Sequence, residues 1–176
     1  NKISTHIAFY NFGSAGQMEL NNQVGELNVD DVLAPQIFFC DNSTAVAVRT
    51  DGFTVFSGSQ SPKEKKTVKF DQEILSTFHD GNRIGFVFDG GDSGHKYLMK
   101  VYNTGGKNTM QKYFDLQYNS ITLQKDKIVL FNEKEFAIYK LNGQKTFQGK
   151  YRKPIQNVLS IRGFRKYMVI TEDSAD

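Results

Sequence analysis

Short apolar runs alternate with polar turns along the whole chain. The clearest set comprises the runs 37–40, 45–48 and 53–56, which are joined by polar turns at 41–43 and 51–52. Runs of roughly four to eight β-branched and aromatic residues, bounded by Asp, Asn and Gly, are typical of strands in antiparallel hairpins. Apolar residues at helical spacing do not persist over any long segment, so the pattern predicts an all-β chain.

The same order of runs recurs with a regular period. The later runs are 74–78, 84–88 and 97–102, then 121–123, 128–131, 136–139 and 145–150, and finally 158–161 and 167–171. The second run of each copy begins at Ala45, Ile84, Ile128 and Tyr167, which is a period of roughly 39 to 44 residues. A repeat of this length is typical of the four-stranded blades of a β-propeller. The second runs are apolar throughout instead of alternating, which predicts sheets covered on both faces.

The two ends of the chain match complementary halves of one blade. Residues 7–12, 13–16 and 17–20 have the pattern of a third strand, a turn and a fourth strand, whereas 158–171 has that of a first and a second strand. The predicted fold is therefore all-β and β-propeller-like, with four-stranded antiparallel blades in one domain, 1–176. Its parts are an outer half-blade (1–30), blades at about 33–73, 74–117 and 118–155, and an inner half-blade (156–176).

Two arrangements of these half-blades are open. Paired halves would close about four blades within one chain. Unpaired halves would make the chain an arc of a larger propeller, and its exposed blade faces would then associate with a second copy as a homo-dimer.

Composition limits the class of protein. Of the 176 residues, 39% are hydrophobic and 23% charged, which is enough apolar surface for a core. No run approaches the roughly 18 apolar residues of a transmembrane helix, so we expect no membrane span in this segment. The net charge of +3 is far from the concentrated charge that neutralises phosphates, so we expect no nucleic-acid partner. The chain begins with Asn1 instead of Met, and we expect it to be part of a longer protein.

A basic run and a single cysteine have structural interpretations. The basic residues are Lys63, Lys65, Lys66 and Lys69. Lysines on an edge strand oppose pairing with another sheet, and we interpret the run in this way, with an anionic-surface or phosphate site as the alternative. Cys40 has no partner for a disulfide and is expected to be a small buried residue.

Three stretches of the sequence resemble a family of propeller-like domains. They are 7–16 (IAFYNFGSAG), 121–139 with 141–143, and 167–173. The family is uncharacterised, occurs in clostridia-type Gram-positive bacteria and is similar in topology to quinoprotein-like and WD-repeat propellers, although this chain has no Trp. The resemblance implies an extracytoplasmic protein of unknown function, tethered by an N-terminal anchor that this chain lacks.

One loop carries a string that is found in serine proteases. Residues 91–94 read Gly-Asp-Ser-Gly, and a serine nucleophile there needs a histidine base and an aspartate that orients the base. His95 is the only histidine close to Ser93 in sequence. The composition of 89–94 is that of a hairpin loop, so we reject a catalytic interpretation.

Metal sites are not supported by the sequence. Asp89 and Asp92 would offer oxygen ligands to calcium, but no Glu follows at the spacing of a calcium loop. The histidines His6, His79 and His95 are too scattered to form a zinc set with Cys40. We predict neither a metal nor a cofactor.

Aspartates at strand ends are the candidates for hydrolytic chemistry. They are Asp30, Asp31, Asp41, Asp71, Asp80 and Asp126. A carbohydrate-active hydrolase on a propeller would bring two such carboxylates together on the axis. Aspartate is also the residue that hydrogen-bonds its own backbone in turns, and nothing in the sequence singles out a pair.

Tyrosines are the candidates for a binding platform. They are Tyr10, Tyr97, Tyr102, Tyr113, Tyr118, Tyr139, Tyr151 and Tyr167. Tyrosine also suits strands whose side chains are dry at one end and wet at the other, so we favour core positions for most of them. The function that the sequence favours is a non-catalytic binding or scaffolding module at a bacterial cell surface, with a protein or glycan ligand. The alternative is the hydrolase with axial carboxylates, and the sequence identifies no catalytic residue.

Overall fold

The structure is a computed structural model that describes residues 3–11, 22–161 and 166–172. In these ranges it has sixteen strands and one 3-10 helix, Gly91–Ser93. The strands are β1 (Ser4–Tyr10), β2 (Gln23–Asp30), β3 (Gln36–Asp41), β4 (Thr44–Arg49), β5 (Gly52–Ser57), β6 (Lys63–Lys69), β7 (Ser76–Asp80), β8 (Arg83–Asp89), β9 (Tyr97–Asn103), β10 (Asn108–Phe114), β11 (Ser120–Gln124), β12 (Lys127–Phe131), β13 (Glu135–Lys140), β14 (Lys145–Lys150), β15 (Ile155–Ser160) and β16 (Tyr167–Thr171).

Consecutive strands pair in antiparallel sheets. Three sheets have four strands each, in the chain order β3 to β6, β7 to β10 and β11 to β14. Two further sheets have two strands each, β1 with β2 and β15 with β16. Hairpin turns account for this order, and glycines at positive φ, such as Gly81 and Gly143, occupy two of them. The predicted all-β chain with four-stranded antiparallel sheets is confirmed.

The second and third strands of each four-stranded sheet are its most buried part. All six residues of β4 are buried, as are five of the six in β5. Successive apolar residues place side chains on both faces of a strand, which requires cover on both faces. In the sheet β3 to β6, the fourth strand, β6, is by contrast exposed at all four of its lysines, as predicted for a lysine-bearing edge strand.

The chain divides into two compact units. Unit 1 comprises Asn1–Ile74 and Thr104–Lys107, and unit 2 comprises Leu75–Asn103 and Asn108–Asp176. Each unit contains hydrophobic cores of its own. That residues 1–176 form a single domain stays a prediction.

In unit 1 the two-stranded sheet packs on the neighbouring four-stranded sheet. Ile7 and Phe9 of β1 belong to the same buried cluster as Ala45, Ala47 and Phe56. The ring centroids of Phe9 and Phe56 lie 4.9 Å apart in a tilted arrangement. Small residues on β4 therefore leave room for the aromatic rings between the two sheets.

A polar network crosses the end of this sheet. The buried Arg49 guanidinium makes two hydrogen bonds to the Asp51 carboxylate, each 2.8 Å long, and a third of 3.3 Å to Thr54 Oγ1. The Thr54 hydroxyl in turn lies 2.7 Å from that of Thr67 on β6. Because its charge is paired and its donors are used, Arg49 is accommodated inside the unit.

In unit 2 the two four-stranded sheets share one core, and β15 joins a second. The first core contains Phe78, Met99 and Leu130, and the second contains Ile138 and Val158. The amide of Gln124 links β11 to β15. Its Nε2 donates to the Val158 carbonyl at 2.9 Å, and its Oε1 accepts from the Ser160 N–H at 2.6 Å.

The structure changes some predicted strands. β7 begins two residues later than the run 74–78, and β15 begins three residues before the run 158–161. The fourth strand of the second sheet, β10, was not identified in the sequence because polar residues interrupt its apolar ones. The partner of β1 is Gln23–Asp30, while the predicted strand 17–20 and turns 13–16 and 162–163 lie outside the described residues.

No helix in the described ranges has the length and apolar character needed to cross a membrane.

Candidate functional site

The protease-like string lies in the loop between β8 and β9. Ser93 ends the 3-10 helix, and its Oγ accepts a hydrogen bond of 3.2 Å from the backbone N–H of His95. His95 Nδ1 donates to Asp115 Oδ2 at 2.9 Å, so a histidine with an orienting carboxylate is present. Within the described ranges no hydrogen bond joins Ser93 Oγ to the imidazole. The contact that makes a serine nucleophilic is therefore missing.

His95 and Asp115 instead hold the loop against the end of β10. Asp115 Oδ1 also accepts from the backbone N–H of Lys96 at 3.0 Å, and the His95 ring stacks on Tyr113 with centroids 5.7 Å apart. These hydrogen bonds, that from His95 above all, lower the pKa of the Asp115 carboxyl below its usual value. Both side chains are about half exposed, so the pair is a surface clamp.

The candidate aspartates lie in turns or at strand ends, and Asp80 links two turns that are 45 positions apart. Asp41 accepts hydrogen bonds from the backbone and hydroxyl of Ser43, and Asp80 accepts from the backbone N–H of Lys125. Asp89 accepts from the Gly91 N–H, and Asp126 pairs with Lys127. Asp30 ends β2, Asp31 follows it, Asp71 follows β6 and Asp92 lies in the 3-10 helix, all four exposed.

Asp41 and Asp126 differ electrostatically from the proton donor of a hydrolase. The pKa of Asp41 and that of Asp126 are lowered, by hydrogen bonds from Ser43 and from Lys127 respectively. A glycosidase proton donor needs the opposite displacement. In the described part of the chain, no three His, Cys, Asp or Glu side chains are grouped so that they could hold a metal ion.

Most of the tyrosines occupy core or packing positions. Tyr102 and Tyr139 are buried, and Tyr97 and Tyr118 pack with Phe114. Tyr113 stacks on His95, and Tyr10 and Tyr151 are exposed. Cys40 is half-buried on β3, and burial raises the pKa of its thiol. Tyr10 lies at a groove of unit 1 with Phe9 and Phe39, and Tyr167 lies at a groove of unit 2 with Phe136 and Phe147.

The groove at Tyr167, in unit 2, is a candidate site because aromatic and basic side chains meet there. It has a volume of about 630 Å³ and is lined by residues of β12, β13, β14 and β16. The lining residues are Lys127, Phe136, Lys140, Thr146, Phe147, Tyr167 and Val169. A volume of this size lies within the range of roughly 300 to 1,000 Å³ that is usual for ligand sites.

The floor of the groove is a stacked aromatic pair. The rings of Phe136 and Phe147 have centroids 4.9 Å apart and planes inclined by 25°. Phe136 is buried, whereas Phe147 is 45% exposed. Gly149 makes the arrangement possible, because a Cβ at that position would lie 2.7 Å from Phe147 Cζ. A phenylalanine and a glycine two residues apart on an outer strand thus present an aromatic face to solvent.

Two lysines give the groove its charge. Lys127, the first residue of β12, lies opposite Lys140, the last residue of β13, so both lysines are at the same end of the sheet. Lys127 pairs with the Asp126 carboxylate, but Lys140 Nζ donates to the neutral Gln144 amide oxygen at 2.9 Å. The positive charge of Lys140 is therefore not neutralised by this contact, and the groove favours an acidic group at that end.

The family of the chain follows from comparison with known proteins. The model described as "Family of unknown function (DUF5711)" matches residues 1–176, the full length of the chain. The chain belongs to family DUF5711. No curated protein matches its sequence.

Solved structures show the fold of this DUF5711 chain. A crystal structure of BBS1N in complex with ARL6DN, soaked with mercury, is similar with a TM-score of 0.55 and 10% identity, covering 86% of this chain and 52% of BBS1N. The same complex soaked with lead gives a TM-score of 0.51 and 10% identity, with 77% and 48% covered. The DUF5711 chain thus spans about half the length of BBS1N. The predicted β-propeller-like fold is confirmed.

Sequence reasoning missed most of the DUF5711 groove. Tyr167 was among the candidate residues, but Phe136, Phe147 and Lys140 were not. The signal that could have identified Phe147 is its place in a polar outer strand, where an aromatic side chain has no neighbouring strand to cover it.

Proposed function

We propose that the DUF5711 chain is a non-catalytic binding module that holds a protein partner in the groove of unit 2. The observation that carries the proposal is the stacked pair of buried Phe136 and exposed Phe147, beside the Lys140 ammonium group, whose described hydrogen bond goes to a neutral amide. Aromatic residues are enriched at the centre of protein interfaces, and a cation at the rim steers an acidic partner to them.

The chemistry of the groove supports binding over catalysis. The lining residues that the structure describes supply two ammonium groups, one threonine hydroxyl and one tyrosine hydroxyl. None of them is a carboxylate or an imidazole, the groups that glycoside hydrolysis and most general acid–base catalysis use. The similar BBS1N structures were determined with a protein, ARL6DN, which is the class of partner proposed here.

We also propose that the protein is located at the cell surface, since the resemblance in sequence implies an extracytoplasmic location. Protease treatment of intact cells tests it. Degradation of the protein without lysis supports the surface location, and degradation only after lysis contradicts it.

Site-specific photo-cross-linking tests the binding role. A benzophenone amino acid replaces Phe147 in one variant and Tyr151 in the other, because the two aromatic side chains are 45% and 46% exposed. Both are expressed in the native cells and irradiated. A protein adduct from position 147 that is absent from position 151 is the expected result.

Two other outcomes contradict the proposal. Equal adducts from both positions would indicate collisions at the surface. Absence of an adduct at 147, together with glycan-array binding that Phe147→Ala abolishes, would make the ligand a glycan instead of a protein.

A further inference from the structure

Two edge strands of the structure have the composition of inner strands. In each four-stranded sheet we call the second and third strands the inner strands. These strands, such as β4 and β12, are apolar and buried. The sequence of β16, Tyr-Met-Val-Ile-Thr, and the second half of β1, Ile-Ala-Phe-Tyr, are of the same kind. Each nevertheless lies in a two-stranded sheet and, among the residues that the structure describes, pairs on one side only. Met168 and Ile170, on the face of β16 opposite Tyr167 and Val169, are 51% and 40% exposed.

The groove lies along the unpaired side of β16. β15 pairs with one edge of β16, and the described lining of the groove includes Tyr167 and Val169 but no residue of β15. The rest of the lining comes from the neighbouring sheet, above all Phe136 and Phe147. A strand placed in the groove would therefore hydrogen-bond to the β16 backbone and cover the aromatic floor, as in strand addition at a sheet edge.

The open face of the β1–β2 sheet has the complementary charge. Residues on its closed face, such as Ile7, are buried within unit 1. The residues opposite one another on the other face include Ala8 with Glu26 and Ser4 with Asp30. Both carboxylates are on exposed residues, whereas the groove carries Lys127 and Lys140. Charges of opposite sign thus lie on the two surfaces, one acidic and one basic.

From these three observations we infer that the partner of the groove is a second copy of this chain. β1 of one copy pairs with β16 of the other, which gives a four-stranded sheet in the order β15, β16, β1, β2, and β2 covers β14. When the two copies are related by a two-fold axis, each fills the groove of the other and the association closes as a dimer. This inference rests on the proposed function and names the partner in it.

Light scattering after size exclusion, over a range of protein concentrations, tests the inference. The expected mass is that of two chains of 20.0 kDa each. Ile170→Glu should give the monomer, because in the joined sheet the face of β16 that bears Ile170 continues the face of β1 that bears Ile7, which packs on unit 1 of the second copy. Leu75→Glu is the matched control, since Leu75 is similarly exposed, at 45%, and should leave the dimer intact.

A charge exchange tests how the β1–β2 sheet of one copy is oriented in the groove of the other. It does so without risk to the fold, because Lys140 and Glu26 are both exposed. Lys140→Glu and Glu26→Lys should each raise the dissociation constant of the dimer by about tenfold. The double variant should restore the value of the unmodified chain. A double variant as weak as the single variants overturns the inference.

The failure of this inference can be separated from the failure of the proposed function. A mass of 20.0 kDa at every concentration overturns the dimer. If the cross-link from position 147 then contains a different protein, the groove remains a protein-binding site with another partner. If no cross-link forms at all, the proposed function fails as well.

Discussion

At the scale of single residues, two glycines make room for phenylalanine rings in different surroundings. A Cβ at Gly85 would lie 2.1 Å from the ring of Phe78, and a Cβ at Gly149 would lie 2.7 Å from that of Phe147. Phe78 is only 5% exposed and is enclosed in the core of unit 2, whereas Phe147 is 45% exposed. The first ring has no free space into which it can move, and the second can turn toward solvent.

This difference predicts opposite stability effects for the same substitution. Gly85→Ala should lower the free energy of unfolding by about 1–3 kcal/mol, since the core must shift to accept the methyl group. Gly149→Ala should change it by less than about 0.5 kcal/mol, because the displaced ring is at the surface. Urea titration followed by circular dichroism measures both values. Equal losses for the two variants would contradict the explanation.

The clamp between His95 and Asp115 predicts a pH effect. The hydrogen bond from His95 lowers the pKa of Asp115, so the contribution of the clamp to stability is present above the ordinary carboxyl pKa of about 3.9 and is lost as the pH falls through the lowered value. NMR titration of His95→Ala should show the pKa of Asp115 rising toward the ordinary value. The pKa of Asp41, which Ser43 lowers, should not move. An unchanged Asp115 would show that His95 is not the cause.

At the scale of elements, the inner strands could be predicted and the outer ones only in part. Inner strands are covered on both faces, so they need unbroken apolar runs that are visible in the sequence. An outer strand is paired on one side only and tolerates polar residues, which is why β10, with the sequence Asn-Thr-Met-Gln-Lys-Tyr-Phe, has no clear pattern. β6 was an exception because its lysines are themselves a feature of edge strands.

The link between β11 and β15 depends on one side chain. Gln124 donates to the Val158 carbonyl and accepts from the Ser160 N–H, so its amide replaces a piece of backbone pairing between the two strands. Gln124→Leu leaves both partly buried groups without this partner and should cost about 1–3 kcal/mol. Hydrogen exchange at Ser160 should become faster.

Gln124→Glu is the matched variant for this prediction. It keeps the oxygen that accepts from Ser160 and removes the donor to Val158, so Ser160 should retain most of its protection. If Ser160 exchanges equally fast in both variants, the hydrogen bond to Gln124 is not what protects it.

At the scale of the whole molecule, the repeat made the fold class predictable but not the site. The period that separates Ala45, Ile84 and Ile128 reflects one sheet after another, and each sheet is specified by residues close in sequence. The site depends on side chains from separate elements. His95 and Asp115 meet across 20 positions, and Phe147 of β14 meets Tyr167 of β16 at one groove, which no local pattern indicates.

Hydrogen exchange across the chain tests the distribution of stability that follows from this architecture. The inner strands β4, β8 and β12 should exchange slowly at any concentration, because they are buried in the single chain. Within the described part of the chain, β1 and β16 have one unpaired edge each. If a second copy supplies the missing neighbour, exchange in these two strands should become faster on dilution and in Ile170→Glu, while the inner strands stay unchanged. Equal protection of β1 and β16 under all these conditions would mean that the apolar composition of these strands serves their packing on the adjacent sheets and not association.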